Sequence, residues 1–163
     1  MRKLFSNGIA VFAGVVSLPA PGAPAASAKP AAVEHRQEPA KDPRLSSLRA
    51  FFAQGHCPAA QLSSIFLEAS DLYGLDWRLL PSLSFVETGG GKVAPHNNLF
   101  GWKSGRAAFS SAAASIRSVA HSLANSAAYR GKDVDGILRV YNRTPSYALK
   151  VKDVMRRIAP AVN

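Results

Sequence analysis

LSSIFLEASDLYGLDWRLLPSLSFVETGGG, residues Leu62 to Gly91, is the stretch whose reading decides the fold. Its first half sets Leu62, Ile65, Phe66, Ala69, Leu72 and Tyr73 on one stripe at helical spacing, and Gly74 supplies the stop. The spacing predicts a helix that starts at Pro58. Asp76 then has the chemistry of an N-cap for a helix from Trp77 to about Thr88, in which Pro81 removes one backbone hydrogen bond and can bend the axis. Gly89-Gly90-Gly91 ends it.

Working outward, Asp42-Pro43 reads as an N-cap followed by a first-turn proline. Leu45, Leu48, Phe51 and Phe52 follow at helical spacing, and Gly55 closes the helix. Downstream, Ser110 or Ser111 can cap a helix that buries Ile116, Val119, Ala120 and Leu123 and leaves His121 exposed. A short helix around Asp135 to Tyr141 and a last one carrying Tyr147, Ala148, Val151, Val154, Met155 and Ile158 complete the pattern. No run of alternating residues argues for a substantial sheet. The class is therefore mainly α, a single domain over 44–163 of about five to six helices with little or no sheet.

The N-terminus has a different character. Arg2 and Lys3 form a basic n-region, Leu4 to Val16 is short and mostly apolar, and Ala26-Ser27-Ala28 matches a small-residue cleavage site. Residues 1–28 are expected to be a secretory signal peptide cut after Ala28, with a Pro/Ala-rich linker over 29–43 and a periplasmic or secreted destination. The apolar run is too short to span a bilayer comfortably and is interrupted by Asn7 and Gly8, so a permanent membrane anchor is the weaker reading. The formal charge is +10, and loss of Arg2 and Lys3 lowers it by two. Such a chain favours polyanions, for which cell-wall polymers, lipid headgroups and nucleic acid are all candidates, but no nucleic-acid reader motif is present. Cys57 is the single cysteine, so no intramolecular disulfide forms. A buried structural thiol is the plain reading, and a nucleophile paired with His56 the alternative. The histidines and the cysteine lack ligand spacing, so no metal or cofactor is implied.

Between Asp76 and Asp133 the only acidic residue is Glu87, among Arg78, Lys92, Lys103, Arg106, Arg117, Arg130 and Lys132. In helical phase it continues the face of Leu80 and Leu83, which points it inward or into a cleft. Desolvation there favours the protonated form that a general acid requires. The alternative is a structural carboxylate, paired with a nearby Arg or Lys or bound to backbone N–H groups. Right after it come three glycines and then His96-Asn97-Asn98-Leu99-Phe100-Gly101-Trp102, with amide and aromatic groups suited to sugar rings and N-acetyl groups. Asn97, Asn98 and Trp102 are the site candidates of this turn, while Phe100 can equally plug the core.

At these residues the sequence resembles the bacterial mannosyl-glycoprotein endo-β-N-acetylglucosaminidase-like (glucosaminidase) domain family, of the lysozyme-like superfamily. Its hallmark is a helix ending in Glu-Ser-Gly, a Gly-rich turn and Asn-Asn-Leu-Phe-Gly; here these are Glu87-Thr88-Gly89 and Asn97 to Gly101. Phe109, Ser115-Ile116 and Tyr129 match further spacings. Tyr141 to Tyr147, Tyr-Asn-Arg-Thr-Pro-Ser-Tyr, is similar to its Tyr-Ala-Thr-Asp-Pro-x-Tyr, and the likeness covers roughly Leu62 to Ile158. The resemblance implies a lysozyme-like fold and a monomeric enzyme acting on peptidoglycan glycan strands. Glu87 would be the catalytic acid and Tyr141 would support the reacting sugar, with Asn97, Asn98, Phe100, Trp102 and Tyr147 binding substrate. Thr88 departs from the usual Ser, and Asn142-Arg143 from Ala-Thr. The segment between Trp102 and Phe109 holds no acid, although glycosidases ordinarily use two carboxylates. Asp133 and Asp135 are the remaining candidates, and capping is the simpler job for them. Participation of the substrate's 2-acetamido group, or the intramolecular attack of lytic transglycosylases, removes the need for a second acid. A non-catalytic wall-binding module is the reading from another class.

Overall fold

The computed structural model describes residues 42–160. They form α1 (Pro43–Gln54), a 3-10 turn (Pro58–Leu62), α2 (Ser63–Tyr73), α3 (Leu79–Thr88), a second 3-10 turn (Pro95–Asn97), α4 (Ala112–Asn125), α5 (Val134–Tyr141) and α6 (Pro145–Ile158). No strand occurs among the described residues, so the chain is mainly α as its sequence pattern requires. The expected signal peptide and the linker up to Lys41 lie outside the described residues. Among the described residues no helix is long and apolar enough to cross a membrane.

Helix ends follow local chemistry. Asp42 caps α1 by accepting the Arg44 N–H at 2.9 Å, and Pro43 takes the first position, where a missing N–H costs nothing. Ser111 caps α4 through the Ala114 N–H at 3.0 Å, and Asp133 caps α5 through the Gly136 N–H at 2.8 Å. Gly74 and Gly89 end α2 and α3 in the left-handed conformation.

Three expectations change. Pro58 opens a 3-10 turn, and α2 begins only at Ser63. α3 begins at Leu79 rather than Trp77, because Asp76 builds a turn of its own. Its carboxylate accepts the Arg78 N–H and its carbonyl the Leu79 N–H. Pro81 therefore falls in the first turn of α3, where it removes no intrahelical bond. Leu72 leaves the buried stripe and is 73% exposed, since α2 turns Phe66, Leu67, Ala69 and Ser70 inward instead.

α4 packs on α2 and α6 on α3, with α1 against both α2 and α6. Between them runs a file of rings, Phe51, Phe52, Phe66 and Phe100, at successive centroid distances of 5.4, 5.7 and 6.5 Å. Three of these come from helices, and Phe100 comes from the loop after α3. Fully burying such a ring is worth about 1.5–3 kcal/mol. From α6 the Arg157 guanidinium lies 5.5 Å from the ring centroids of both Phe51 and Phe85. Arg78 donates to the Ala159 carbonyl at 3.1 Å, which ties the end of α6 to the start of α3.

Gly90 lies where this core meets the loop. Its φ is +64°, and a Cβ there would stand 2.8 Å from the Cys57 Cβ. Gly131, with φ +73°, has open space around the same position. Gly131→Ala is expected to cost only the left-handed penalty of about 1–2 kcal/mol, and Gly90→Ala distinctly more. Urea unfolding of the two variants measures the difference, and equal losses would remove packing as the reason for a glycine at 90.

Candidate active site

Glu87 occupies the penultimate position of α3. Helical phase places it on the face of Leu80 and Leu83, which are wholly buried. The core ends one turn earlier, however, and Glu87 is exposed in an open cleft. Among the described residues no Arg or Lys forms an ion pair with it. Its partner is instead Tyr147, whose hydroxyl donates to Glu87 Oε1 at 2.6 Å.

The loop after α3 is folded back over this carboxylate by its own side chains. Thr88 Oγ1 lies 2.9 Å from the Leu99 carbonyl and accepts the Gly91 N–H at 3.1 Å. Asn98 is buried, and its amide spans the turn. Nδ2 donates to the Trp102 carbonyl at 3.0 Å, and Oδ1 accepts the Trp102 N–H at 2.9 Å. Both ends of the Asn98 side chain are thus spent on the fold. Asn97 faces away, donating to the Phe109 carbonyl at 2.9 Å, and does not line the cleft. Phe100 is 0% exposed, with its ring in the core. Gly101 has φ +57°, and a Cβ there would meet Glu87 Oε2 at 2.8 Å. Only glycine lets this backbone pass so close to the carboxylate.

The opposite wall is aromatic. Tyr141 donates its hydroxyl to the Phe100 carbonyl at 2.5 Å. Its ring stacks on Tyr147 at 5.9 Å and lies 5.8 Å from Trp102, which in turn is 6.2 Å from Tyr129. The cleft between Trp102, Tyr129, Tyr141 and Glu87 has a volume of about 450 Å³. On the other side of Glu87 a second depression of about 340 Å³ is lined by Val86, Asn142, Thr144, Ser146, Tyr147 and Lys150. Glu87 and Asn142 border both, so the acid stands between the two depressions, which are together termed the groove. Among the described residues Glu87 is the only carboxylate lining either part. Asp133 is spent as a cap, and Asp135 binds Lys152 Nζ at 3.0 Å.

No protein-family model matches this chain, and no significant match is found among curated proteins or solved structures.

Of the residues singled out from sequence, the structure brings Glu87, Trp102, Tyr141 and Tyr147 together at the groove. It assigns Asn98 and the Phe100 ring to holding the loop, although Phe100 still borders the cleft. Tyr129 stands out in the sequence only through a family spacing. Gly101, Lys103, Ser104 and Asn142 carry no local signal of chemistry, and their adjacency to conspicuous residues is the one clue to them. Cys57 is buried, its Sγ set against the Gly55 carbonyl at 3.4 Å, and burial pushes its thiol pKa up. Its neighbour His56 is exposed, and neither lines the groove. Among the described residues no group of three or more His, Cys, Asp or Glu side chains converges.

Burial, then the negative charge of Glu87, pushes the Tyr141 hydroxyl well above its ordinary pKa; burial, then the hydrogen bond to Glu87, does the same for Tyr147. A tyrosine whose folded pKa is raised contributes stability that is complete below its unfolded value, near 10, and is lost as pH climbs above it. The stability of the protein is expected to fall as pH rises past about 10. Replacing both tyrosines by Phe should flatten that fall. Tyrosinate absorbance gives the direct check: ionisation of all four tyrosines before the fold is lost would contradict the burial described.

Proposed function

We propose that this protein is an exported peptidoglycan hydrolase that cleaves β-1,4 glycosidic bonds of N-acetylglucosamine-containing glycan, with Glu87 as general acid. The observation that carries this reading is the position of Glu87, a lone carboxylate at the middle of an open groove walled by Trp102, Tyr129 and Tyr141. Aromatic faces stack on the apolar faces of sugar rings, and a groove open on both sides of the acid admits a chain rather than only its end. The likeness to the glucosaminidase family, the signal-like N-terminus and the excess of positive charge support the same reading.

With Oε1 engaged by the Tyr147 hydroxyl, Oε2 is the oxygen left to carry the proton. That proton passes to the glycosidic oxygen as the bond from that oxygen to C1 breaks, and positive charge develops on the sugar ring. Tyr141, held by the Phe100 carbonyl, supports that ring from the aromatic wall. Glycosidases with two protein carboxylates keep them about 5–9.5 Å apart, and among the described residues no second carboxylate lines this groove. The attacking group then comes from the substrate. The 2-acetamido oxygen bonds to C1 and forms a cyclic oxazolinium. Water opens it, giving up its proton to the Glu87 carboxylate and restoring the acid.

The lone carboxylate equally favours a second reading, in which the sugar's own 6-hydroxyl attacks C1 and leaves an anhydro end. The two products differ by one water, so mass spectrometry of digested peptidoglycan separates them. Glu87→Gln is expected to lower the rate by at least about 100-fold, within the range of positioned acid catalysis, with the unfolding midpoint retained. Tyr141→Phe should slow it less. Equal rates for wild type and Glu87→Gln would sink the assignment, while binding without turnover in both would point to a wall-binding module.

A further inference from the structure

The groove has a cation on each side of its acid. Lys103 lines the part walled by Trp102 and Tyr129, and Lys150 lines the part bordered by Thr144 and Ser146. Among the described residues neither lysine forms an ion pair. Other lysines and arginines of this domain do have carboxylate partners, among them Arg44, Arg78, Lys152 and Arg156.

The backbone holds Lys103 at this edge against its own preference. Lys103 and Ser104 have φ of +53° and +55°, followed by Gly105 at +80°. Two successive side-chain-bearing residues in the left-handed region cost roughly 1–2 kcal/mol each. The turn is nonetheless closed by the Gly105 N–H on the Gly101 carbonyl at 2.8 Å and by the Ala107 N–H on the Trp102 carbonyl at 3.2 Å. Gly101 and Trp102 are residues of the groove itself, so the strained turn is built onto the site. Lys150 has the opposite kind of support, a position on α6 one turn beyond Tyr147 and Ser146. One cation sits on a loop and one on a helix, and both open onto the groove that Glu87 divides.

A neutral glycan offers these lysines nothing to pair with. A glycan whose sugars carry carboxylates close to the ring offers both of them a partner, while leaving the sugar faces free for the aromatic wall. Resting on the hydrolase reading above, we infer that Lys103 and Lys150 are specificity residues that select a carboxylate-bearing glycan over a neutral one, by pairing with carboxylates that the strand carries on either arm of the groove, one on every second sugar. In cell-wall glycan that carboxylate has two sources, the lactyl ether of the muramoyl sugar once its peptide has been removed, and the acidic residues of the peptide itself.

The experiment compares the mature protein on three substrates: peptide-bearing glycan strands, strands freed of peptide, and either kind with its carboxylates converted to neutral amides. The wild type is expected to show a lower KM on the carboxylate-bearing strands than on their neutralised counterparts, with kcat changed little. Lys103→Gln and Lys150→Gln should each raise KM on the charged strands about two- to fivefold, as an exposed ion pair does. The double variant should bring the charged-to-neutral KM ratio close to one. Added salt should shrink the wild-type ratio. Arg49→Gln, an exposed cation on α1 outside the groove, controls for overall charge and should leave the ratio alone.

A larger wild-type preference on peptide-free strands assigns the lactyl carboxylate, and a larger one on peptide-bearing strands assigns the peptide. Equal KM for charged and neutralised strands overturns the inference while leaving the hydrolase reading standing, as does a ratio that Arg49→Gln lowers as much as the groove variants do. No product from any strand removes the hydrolase reading and this inference with it.

Discussion

Phe100 has its ring at the end of the file formed by Phe51, Phe52 and Phe66, while its carbonyl lies under the Tyr141 hydroxyl. Both walls of the groove depend on that single seating. On one side it pins the loop that carries Gly101 and Trp102 against the end of α3. On the other it gives the Tyr141 hydroxyl a fixed acceptor, which orients the Tyr141 ring. A buried aromatic side chain anchors what would otherwise be a solvent-facing loop rich in residues of unusual φ. The free energy of burying that ring, about 1.5–3 kcal/mol, is large enough to offset one of the left-handed residues nearby.

The acid is held by a different logic. Glu87 comes from the last turn of α3 and its partner Tyr147 from the first turn of α6, two helices that pack on each other. Their hydrogen bond therefore joins elements whose relative placement is already set by Leu79, Leu80, Leu83, Val151, Val154 and Ile158 in the core. The packing of these helices thus fixes the site. Gly101 completes the arrangement by an absence of atoms, since a methyl group there would occupy the space of Oε2.

Much of this was legible in the sequence, for identifiable reasons. The helices were, because Asp42, Ser111 and Asp133 are strong caps and Gly74 and Gly89 are strong stops, all acting within a few residues. The start of α3 was not, because Asp76 can cap a helix at once or build a turn first, and only packing of Leu79 and Leu80 into the core decides between them. Glu87 stood out as a lone acid among cations, but its exposure did not follow from helical phase, which cannot say where the core ends. Asn98 announced itself as a site residue by composition, yet its amide is consumed in building the loop, while Phe100 takes the core position its ring allowed. That difference lies in which way the chain turns at His96 and Asn97, two residues with positive φ that no periodicity reveals. Lys103 and Lys150 were illegible as a pair, since the two sides of the groove meet only through tertiary contact.

The chain order of the groove has a consequence for how the molecule comes into being. Glu87 and Tyr147 are separated by 60 positions, and the aromatic wall draws on Trp102, Tyr129 and Tyr141 in between. A chain emerging from its N-terminus presents the carboxylate early, with no wall and no hydroxyl partner, until α6 has docked. Contacts of such sequence separation form late in folding. The groove is thus incomplete until α6 has docked. Under the proposed function, a chain caught midway through synthesis or transport holds the acid without the means to use it.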